Sequence, residues 1–499
     1  MPEVIDSYEY IQIVRDKEHE LPVYVVKKPE LSPEERAIVD NPKDLMGDYL
    51  SVINRLEIFR TSTEKEEFLS RYIKSHVKDK RISFHNLNRI VSMIMDKIFF
   101  GYGRLGPLMR DDNLEEIMIN GFEVPVFVIH RKHGMCLTNI RYENHEDITE
   151  LIGWLAKNAG REIDEKNPLL DGHMPDGSRA NVVISPASPK GPVITIRRFR
   201  RTPFTILDLI QMKSISSELA AFLWVCVEGF GIHPCNVLIA GGSGSGKTTF
   251  LNALTMFIPH YERVITIEDT LELNFDFLKN WVALEANPSL IKRTSEVDMQ
   301  VLVENSLRMR PDRVIVGEVR GKEAETLFVA MDIGLNGSMG TIHSNNAKET
   351  TIRLTSEPMN LPIRMFPLLD LIVVMNRHYD KEMGLIRRVT EVGEVAGLEG
   401  DVVQIGHIYK WNAKTDDISR TEYPILLTEK IGRQCRLTKK QVNMEVLKRK
   451  LVLEAMIKKG IRGESDVIAI FQEYHRNPDS VLSKLGIKEI IPTNRPPQG

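Results

Sequence analysis

Gly241-Gly242-Ser243-Gly244-Ser245-Gly246-Lys247-Thr248-Thr249 is the stretch around which the chain is organised. The apolar run before it, Asn236-Val237-Leu238-Ile239-Ala240, reads as a buried parallel strand. The segment after it, Phe250-Leu251-Asn252-Ala253-Leu254-Thr255, reads as a helix start. Gly-x-x-x-x-Gly-Lys-Thr between a strand and a helix is the P-loop pattern. Its glycines let backbone N–H groups turn toward one point, and the helix N-terminus adds partial positive charge, so a polyphosphate fits there. Lys247 is placed to reach the β- and γ-phosphates of ATP, and the Thr248 hydroxyl to hold Mg²⁺. The bland alternative, a Gly/Ser turn that contains a lysine, does not account for the flanking strand and helix.

A phosphate loop alone does not say whether the nucleotide is hydrolysed. Two acidic stretches bear on that. Arg263-Val264-Ile265-Thr266-Ile267-Glu268-Asp269-Thr270-Leu271-Glu272 is a strand with acids at its C-terminal end, where ligands of a parallel sheet bind. Arg313-Val314-Ile315-Val316-Gly317-Glu318-Val319-Arg320 again delivers a carboxylate from an apolar strand. Glu268, Glu272 and Glu318 are candidates to orient or deprotonate water, or to hold water on Mg²⁺. The usual acid of the second stretch would stand at Gly317, and is absent. A third piece, Asn336-Gly337-Ser338-Met339-Gly340-Thr341-Ile342-His343-Ser344-Asn345-Asn346, places His343 after a short strand. It is either a structural histidine or a sensor of the γ-phosphate.

Outward from this centre, the chain reads as several pieces. Residues 8 to 28 alternate apolar and polar across a charged turn, a hairpin pattern, and residues 33 to 100 are mostly helical in pattern. Gly101-Tyr102-Gly103-Arg104-Leu105-Gly106 fits a dinucleotide-loop expression, but Pro107 interrupts the place where a helix should start, so a loop is expected. Two short strands, 117–121 and 126–130, a helix over 145–160, turns at Pro168–Gly172 and Pro175–Arg179, and strands over 179–184 and 193–196 complete an α+β domain. The basic cluster Arg197-Arg198-Phe199-Arg200-Arg201 runs into a linker at Pro203. After residue 400 come strand-like stretches (Val402–Trp411, Pro424–Leu427), then charged helices from Lys439 to Leu485. The expected division is 1–100, 101–200, a linker at 201–205, a P-loop domain at 206–400 and a C-terminal part at 401–499.

The length suggests about three domains. Net charge is −3, with 42% hydrophobic and 27% charged residues, an ordinary globular composition that does not single out nucleic acid as a partner. The four cysteines, Cys136, Cys226, Cys235 and Cys435, show no Cys-x-x-Cys spacing, so neither a zinc site nor a disulfide framework is suggested. No apolar stretch is long enough to span a bilayer, so any membrane role is expected to be peripheral.

Taken in order, these motifs resemble the secretion ATPase superfamily that drives type II secretion, type IV pilus assembly and type IV secretion. Ile267–Glu272 is similar to its Asp box, Val316–Arg320 to its Gly-Glu form of Walker B, and Gly337–His343 to its His box. Leu114–Gly121, Pro175–Arg179 and Thr195–Phe199 extend the likeness into the first half. Two departures stand out. Ile333-Gly334-Leu335 replaces the Thr-Gly-His that often opens the His box, and a four-cysteine zinc insertion is missing, which looks more like the archaeal pilus and archaellum assembly ATPases. The resemblance implies an α/β fold with a RecA-like P-loop domain and parallel sheet, preceded by an α+β N-terminal domain. It implies an ATP hydrolase using ATP and Mg²⁺, assembled as a homo-hexamer. Its place would be cytoplasmic, at the inner face of the membrane, working on a polytopic membrane platform protein, with no direct membrane insertion and no nucleic acid. It also implies that arginines of the N-terminal domain contact nucleotide. Arg179 and Arg197 align best with these, with Arg198 as the alternative. A RecA-like nucleic-acid motor and a nucleotide-gated scaffold without turnover are the competing readings.

Overall fold

The computed structural model describes residues 2–42, 49–56, 59, 62–77, 82–174, 177–198, 203–286, 297–380 and 384–487. The chain divides into two compact units, Met1–Arg201 and Thr202–Gly499. The inter-domain linker expected at 201–205 falls partly on residues 199–202, outside the described residues, as do Pro175 and Asp176 of an expected turn. Thr205 is the N-cap of helix Ile206–Gln211: its side chain accepts the Asp208 N–H and Asp208 returns the bond, so a regular element begins directly after the linker.

The first unit is built on one nine-stranded sheet. Its strands are β1 (Glu3–Tyr8), β2 (Ile11–Arg15), β3 (Val23–Val26), β4 (Leu114–Asn120), β5 (Pro125–His130), β6 (Gly134–Arg141), β7 (Leu169–His173), β8 (Arg179–Val183) and β9 (Val193–Arg197). They lie in the order β1-β2-β3-β6-β5-β4-β9-β8-β7. All pairs are antiparallel except β3 with β6. Alternation decides the faces. In β9, Ile194 and Ile196 are fully buried while Arg197 points out. Residues 1–100 supply three strands of this sheet, so the boundary expected at 100/101 falls inside one core. Two local expectations are corrected. Pro168–Gly172, read as a turn, is mostly β7. Gly101–Gly106, read as a loop, leads through a short 3-10 turn into helix Gly106–Arg110, with Pro107 in its first turn. A first-turn proline loses no intrahelical bond, which is why it does not block the helix.

The second unit also holds a nine-stranded sheet: β10 (Val237–Gly241), β11 (Val264–Glu268), β12 (Trp281–Glu285), β13 (Arg313–Val319), β14 (Met339–Ile342), β15 (Leu371–Asp380), β16 (Gly384–Glu399), β17 (Val402–Asn412) and β18 (Asp417–Arg420). The order is β12-β11-β13-β14-β10-β15-β16-β17-β18. The run from β12 to β15 is parallel, and β15 to β18 form an antiparallel meander. The P-loop strand β10 is therefore central, with β14 and β15 as neighbours. Its residues alternate between two cores: Val237 and Ile239 on one face, Leu238 and Ala240 on the other. Both faces are covered, the RecA-like arrangement of an α/β fold. Because β17 extends the sheet that contains β10, the boundary expected at 400/401 also falls inside a single core. Pro424–Leu427 is not a strand, since Leu427 opens helix Leu427–Cys435. The helices Lys439–Lys458, Glu464–Arg476 and Pro478–Leu485 follow as expected. All four cysteines are buried free thiols, and no described helix is long and apolar enough to cross a membrane.

Candidate functional site

Four neighbouring parallel strands, β11, β13, β14 and β10, end at one edge of the second sheet. That edge carries Glu268, Glu318, His343 and the loop Gly241–Gly246. The loop continues into helix Lys247–Thr255, so Lys247, Thr248 and Thr249 form its first turn. Gly244 (φ 67°) and Gly246 (φ 93°) lie in the left-handed region, which a side chain disfavours. This backbone turns the loop around the helix N-terminus, where the partial positive charge sits. Ser243 and Gly244 are exposed at its crest and Ser245 is buried beneath. Gly242 lies on the way to the crest, and the Lys247 ammonium donates to its carbonyl at 3.1 Å, so the lysine folds back over the loop.

The acids separate by environment. Glu268, the last residue of β11, is 2% exposed. Burial pushes its carboxyl up to about 8, against the pull of the Glu272 and Leu273 N–H groups that donate to it at 2.8 and 3.0 Å. Glu272 thus sits beside it through the backbone, on the segment that wraps the carboxyl. Glu318 is a quarter exposed and takes a 2.5 Å bond from Arg320, whose other nitrogen lies 3.4 Å from Asp269.

The register explains how Glu318 comes to face outward. Val316 pairs with Gly340 and Val319 with Ile342, so Gly317 and Glu318 together oppose Thr341. This is a β-bulge, a device that re-aims a side chain at a strand end. The Thr341 hydroxyl fixes it by donating to the Gly317 carbonyl at 2.5 Å. The bulge also accounts for the missing acid. A Cβ at Gly317 would lie 2.7 Å from Glu268 Cγ, so the Glu268 side chain fills the space that a residue-317 side chain would need.

His343 follows β14 directly and is half-buried. After it, the Ser344 and Thr350 hydroxyls share a 2.6 Å bond and Asn346 caps helix Ala347–Thr355, which fixes the backbone that presents the imidazole.

Among the described residues no three His, Cys, Asp or Glu side chains converge as a metal cage. Mg²⁺ takes one or two protein ligands together with the phosphate oxygens of its nucleotide. Thr248 would supply the protein hydroxyl and the edge carboxylates would hold its waters. When bound, the ion would neutralise charge on the phosphates.

The arginines expected to contact nucleotide all belong to the first unit. Arg179 and Arg197 are directly opposite each other on β8 and β9. Arg179 forms a two-point ion pair with Asp171: Nε lies 2.8 Å from the carboxylate and Nη2 is bonded to its other oxygen. Arg198 is corrected. One residue on from the outward-facing Arg197, it turns inward, is 4% exposed, and donates to the carbonyls of Leu108 (3.1 Å) and Asp111. It holds the unit together rather than reaching for a ligand.

Sequence reasoning missed Arg377 and Arg387. Arg387 Nε donates to the Gly244 carbonyl at 2.9 Å, and a Cβ on Gly244 would lie 3.1 Å from Arg377 Nη1. The pairing of β15 with β10 and the β15–β16 register together bring them to the loop, and a linear scan contains no signal for those pairings.

The Glu268 carboxyl makes stability pH-dependent. Its folded value, about 8, lies above the ordinary 4.5, so the folded chain holds a proton that the unfolded chain releases. The stabilisation is full below about pH 4.5 and is lost as pH rises through about 8. Glu268→Gln cannot ionise. We expect the wild type to lose about 2–4 kcal/mol relative to this variant between pH 5 and pH 8.5, read as a difference in melting temperature of about 5 °C or more. Parallel melting curves across that range would refute the assignment.

A family model described as Type II/IV secretion system protein matches residues 105–387. An uncharacterised protein of Methanocaldococcus jannaschii is 49% identical over 243 residues, covering 48% of this chain and 33% of the relative. A second uncharacterised protein of that organism is 34% identical over 328 residues, covering 65% and 58%. The chain thus spans a third to somewhat over half of the length of these two relatives. The crystal structure of the VirB11 ATPase from the Brucella suis type IV secretion system, in complex with sulphate, is 26% identical. It covers 58% of this chain and 95% of its own, with a TM-score of 0.30.

Proposed function

The chain belongs to the Type II/IV secretion system protein family, and from that premise we propose that it is an ATP hydrolase that powers a membrane-associated filament or secretion machine. It acts as a homo-hexamer on the cytoplasmic side of the membrane. It works on a polytopic platform protein to assemble a type IV pilus-like filament, pilus or archaellum, or to drive type II-like secretion. ATP sits on Gly241–Thr249 with its γ-phosphate toward Lys247. Mg²⁺ is held at Thr248. Glu318 receives a proton from the attacking water, Glu268 and Glu272 shape the pocket beside it, and His343 faces the terminal phosphate. Arg179 and Arg197 are the arginines proposed to contact the nucleotide's phosphates, because a guanidinium offers a planar, permanently charged fork.

The observation that supports this reading best is the sharing of one sheet edge by a P-loop, two strand-end carboxylates and His343, ligands of an open parallel sheet being bound at that edge. The test is ATP turnover by the purified chain with Mg²⁺, combined with a mass measurement with and without a non-hydrolysable ATP analogue. Turnover and a six-fold particle in the presence of the analogue are expected. A monomer under both conditions contradicts the ring, and turnover that appears only on adding DNA moves the assignment to a nucleic-acid motor.

A further inference from the structure

The hairpin of β15 and β16 brings three arginines close together and sorts them. Arg388 is 2% exposed and locked in a two-point pair with Asp416, at 2.7 and 2.9 Å. Arg377 and Arg387 lie directly opposite each other in the register and face the phosphate loop. Arg387 Nε donates to the Gly244 carbonyl at 2.9 Å, and its Cδ would be 3.3 Å from a Cβ on Gly246. Arg377 Nη1 would be 3.1 Å from a Cβ on Gly244. Both guanidinium groups thus sit at Gly244, and the methylene chain of Arg387 reaches Gly246.

We propose that Arg377 and Arg387 form an arginine clip for the nucleotide within the second unit itself, separate from any arginine of the first unit. Arg387 is a positioning residue. It bonds the outward carbonyl of Gly244 and so holds the loop backbone in the form whose N–H groups face the phosphates. Arg377 stands over the same turn and contacts a phosphate oxygen of the bound nucleotide. Arginine suits both tasks because its fork offers several fixed donors with a permanent charge. The inference rests on the reading that this loop binds ATP.

The experiment is equilibrium binding of ATP and ADP, with Mg²⁺, to the full chain and its variants, together with steady-state turnover. Arg377→Ala is expected to weaken both nucleotides about tenfold, the scale of a lost charge-assisted bond. Arg387→Ala is expected to raise KM for ATP about tenfold with kcat within about twofold, because it lowers the fraction of loops in the binding form. Arg387→Lys keeps a donor for the carbonyl and recovers most of that loss, which a purely structural role would not produce. Melting temperature without nucleotide, expected to stay within about 2 °C for the exposed Arg377 and the half-buried Arg387, keeps folding defects apart from binding defects. Lys247→Ala is the control. If it loses ATP binding while both alanine variants bind within twofold of wild type, the clip is wrong and the ATP reading stands. If the wild type binds no ATP, both fall.

Discussion

In a Glu318→Gln chain, ATP turnover is expected to fall at least about 100-fold while ATP affinity stays within a few-fold, because a positioned general base, the role proposed for Glu318, is worth about 10²–10⁴ in rate and little in binding. The expectation follows from the way the carboxylate is mounted. The bulge at Gly317 and Glu318 lifts it out of the strand's alternation, at the same edge as Lys247. Arg320 and Asp269 form a chain of ion pairs that orients it from outside the pocket. Glutamine keeps shape and bonding but cannot take a proton, so kcat falls and the binding constant does not. The buried alternative, Glu268, carries a proton near neutral pH and is held by two backbone donors, which suits a pocket wall better than a base. Phosphate release unchanged by Glu318→Gln would overturn this division of labour and favour a nucleotide-gated scaffold that binds without turnover.

Much of this unit could be read directly from the sequence because its signals are local. A strand, a glycine-rich loop and a helix follow one another within residues 236–255, and the parallel strands announce themselves as unbroken apolar runs. What could not be read depends on pairings between distant segments. Arg387 lies 143 residues from Gly244, and it reaches the loop through the β10–β15 pairing followed by the β15–β16 register. The first unit's sheet joins β3 to β6 across more than a hundred residues, so the hairpin at the start of the chain gave no hint of belonging to the same core as Leu114–Asn120. Arg197 and Arg198 look equivalent in a basic run, yet period-two alternation sends one outward and buries the other. Pro107 reads as an interruption and Pro168 as part of a turn, although a helix's first turn and the residue before a strand both tolerate proline.

Restoring the acid that the second acidic strand ordinarily carries should damage this protein rather than improve it. Gly317→Asp is expected to destabilise the second unit by about 3–5 kcal/mol and to abolish turnover, through overpacking of about 1–3 kcal/mol and the cost of a second carboxyl in a buried site. A Cβ at this position would lie 2.7 Å from Glu268 Cγ and 3.3 Å from both its Cβ and Oε2. Glu268 cannot simply swing away, because its carboxyl is tied to the Glu272 and Leu273 N–H groups. Gly317→Ala separates the two costs: it carries the steric part alone, about 1–3 kcal/mol. Adding Glu268→Ala removes the obstructing side chain, so the pair should be less destabilised than the sum of the single changes by about 1 kcal/mol or more. Thermal or denaturant melting of the three variants measures that coupling. Strict additivity, or a Gly317→Asp chain with the melting temperature and turnover of the wild type, would show that the glycine is not there to make room for Glu268. If the coupling appears, the glycine and the buried glutamate are one device: the strand gives up its own acid so that its neighbour's can fill the space, and the bulge moves the working carboxylate one residue on, to Glu318.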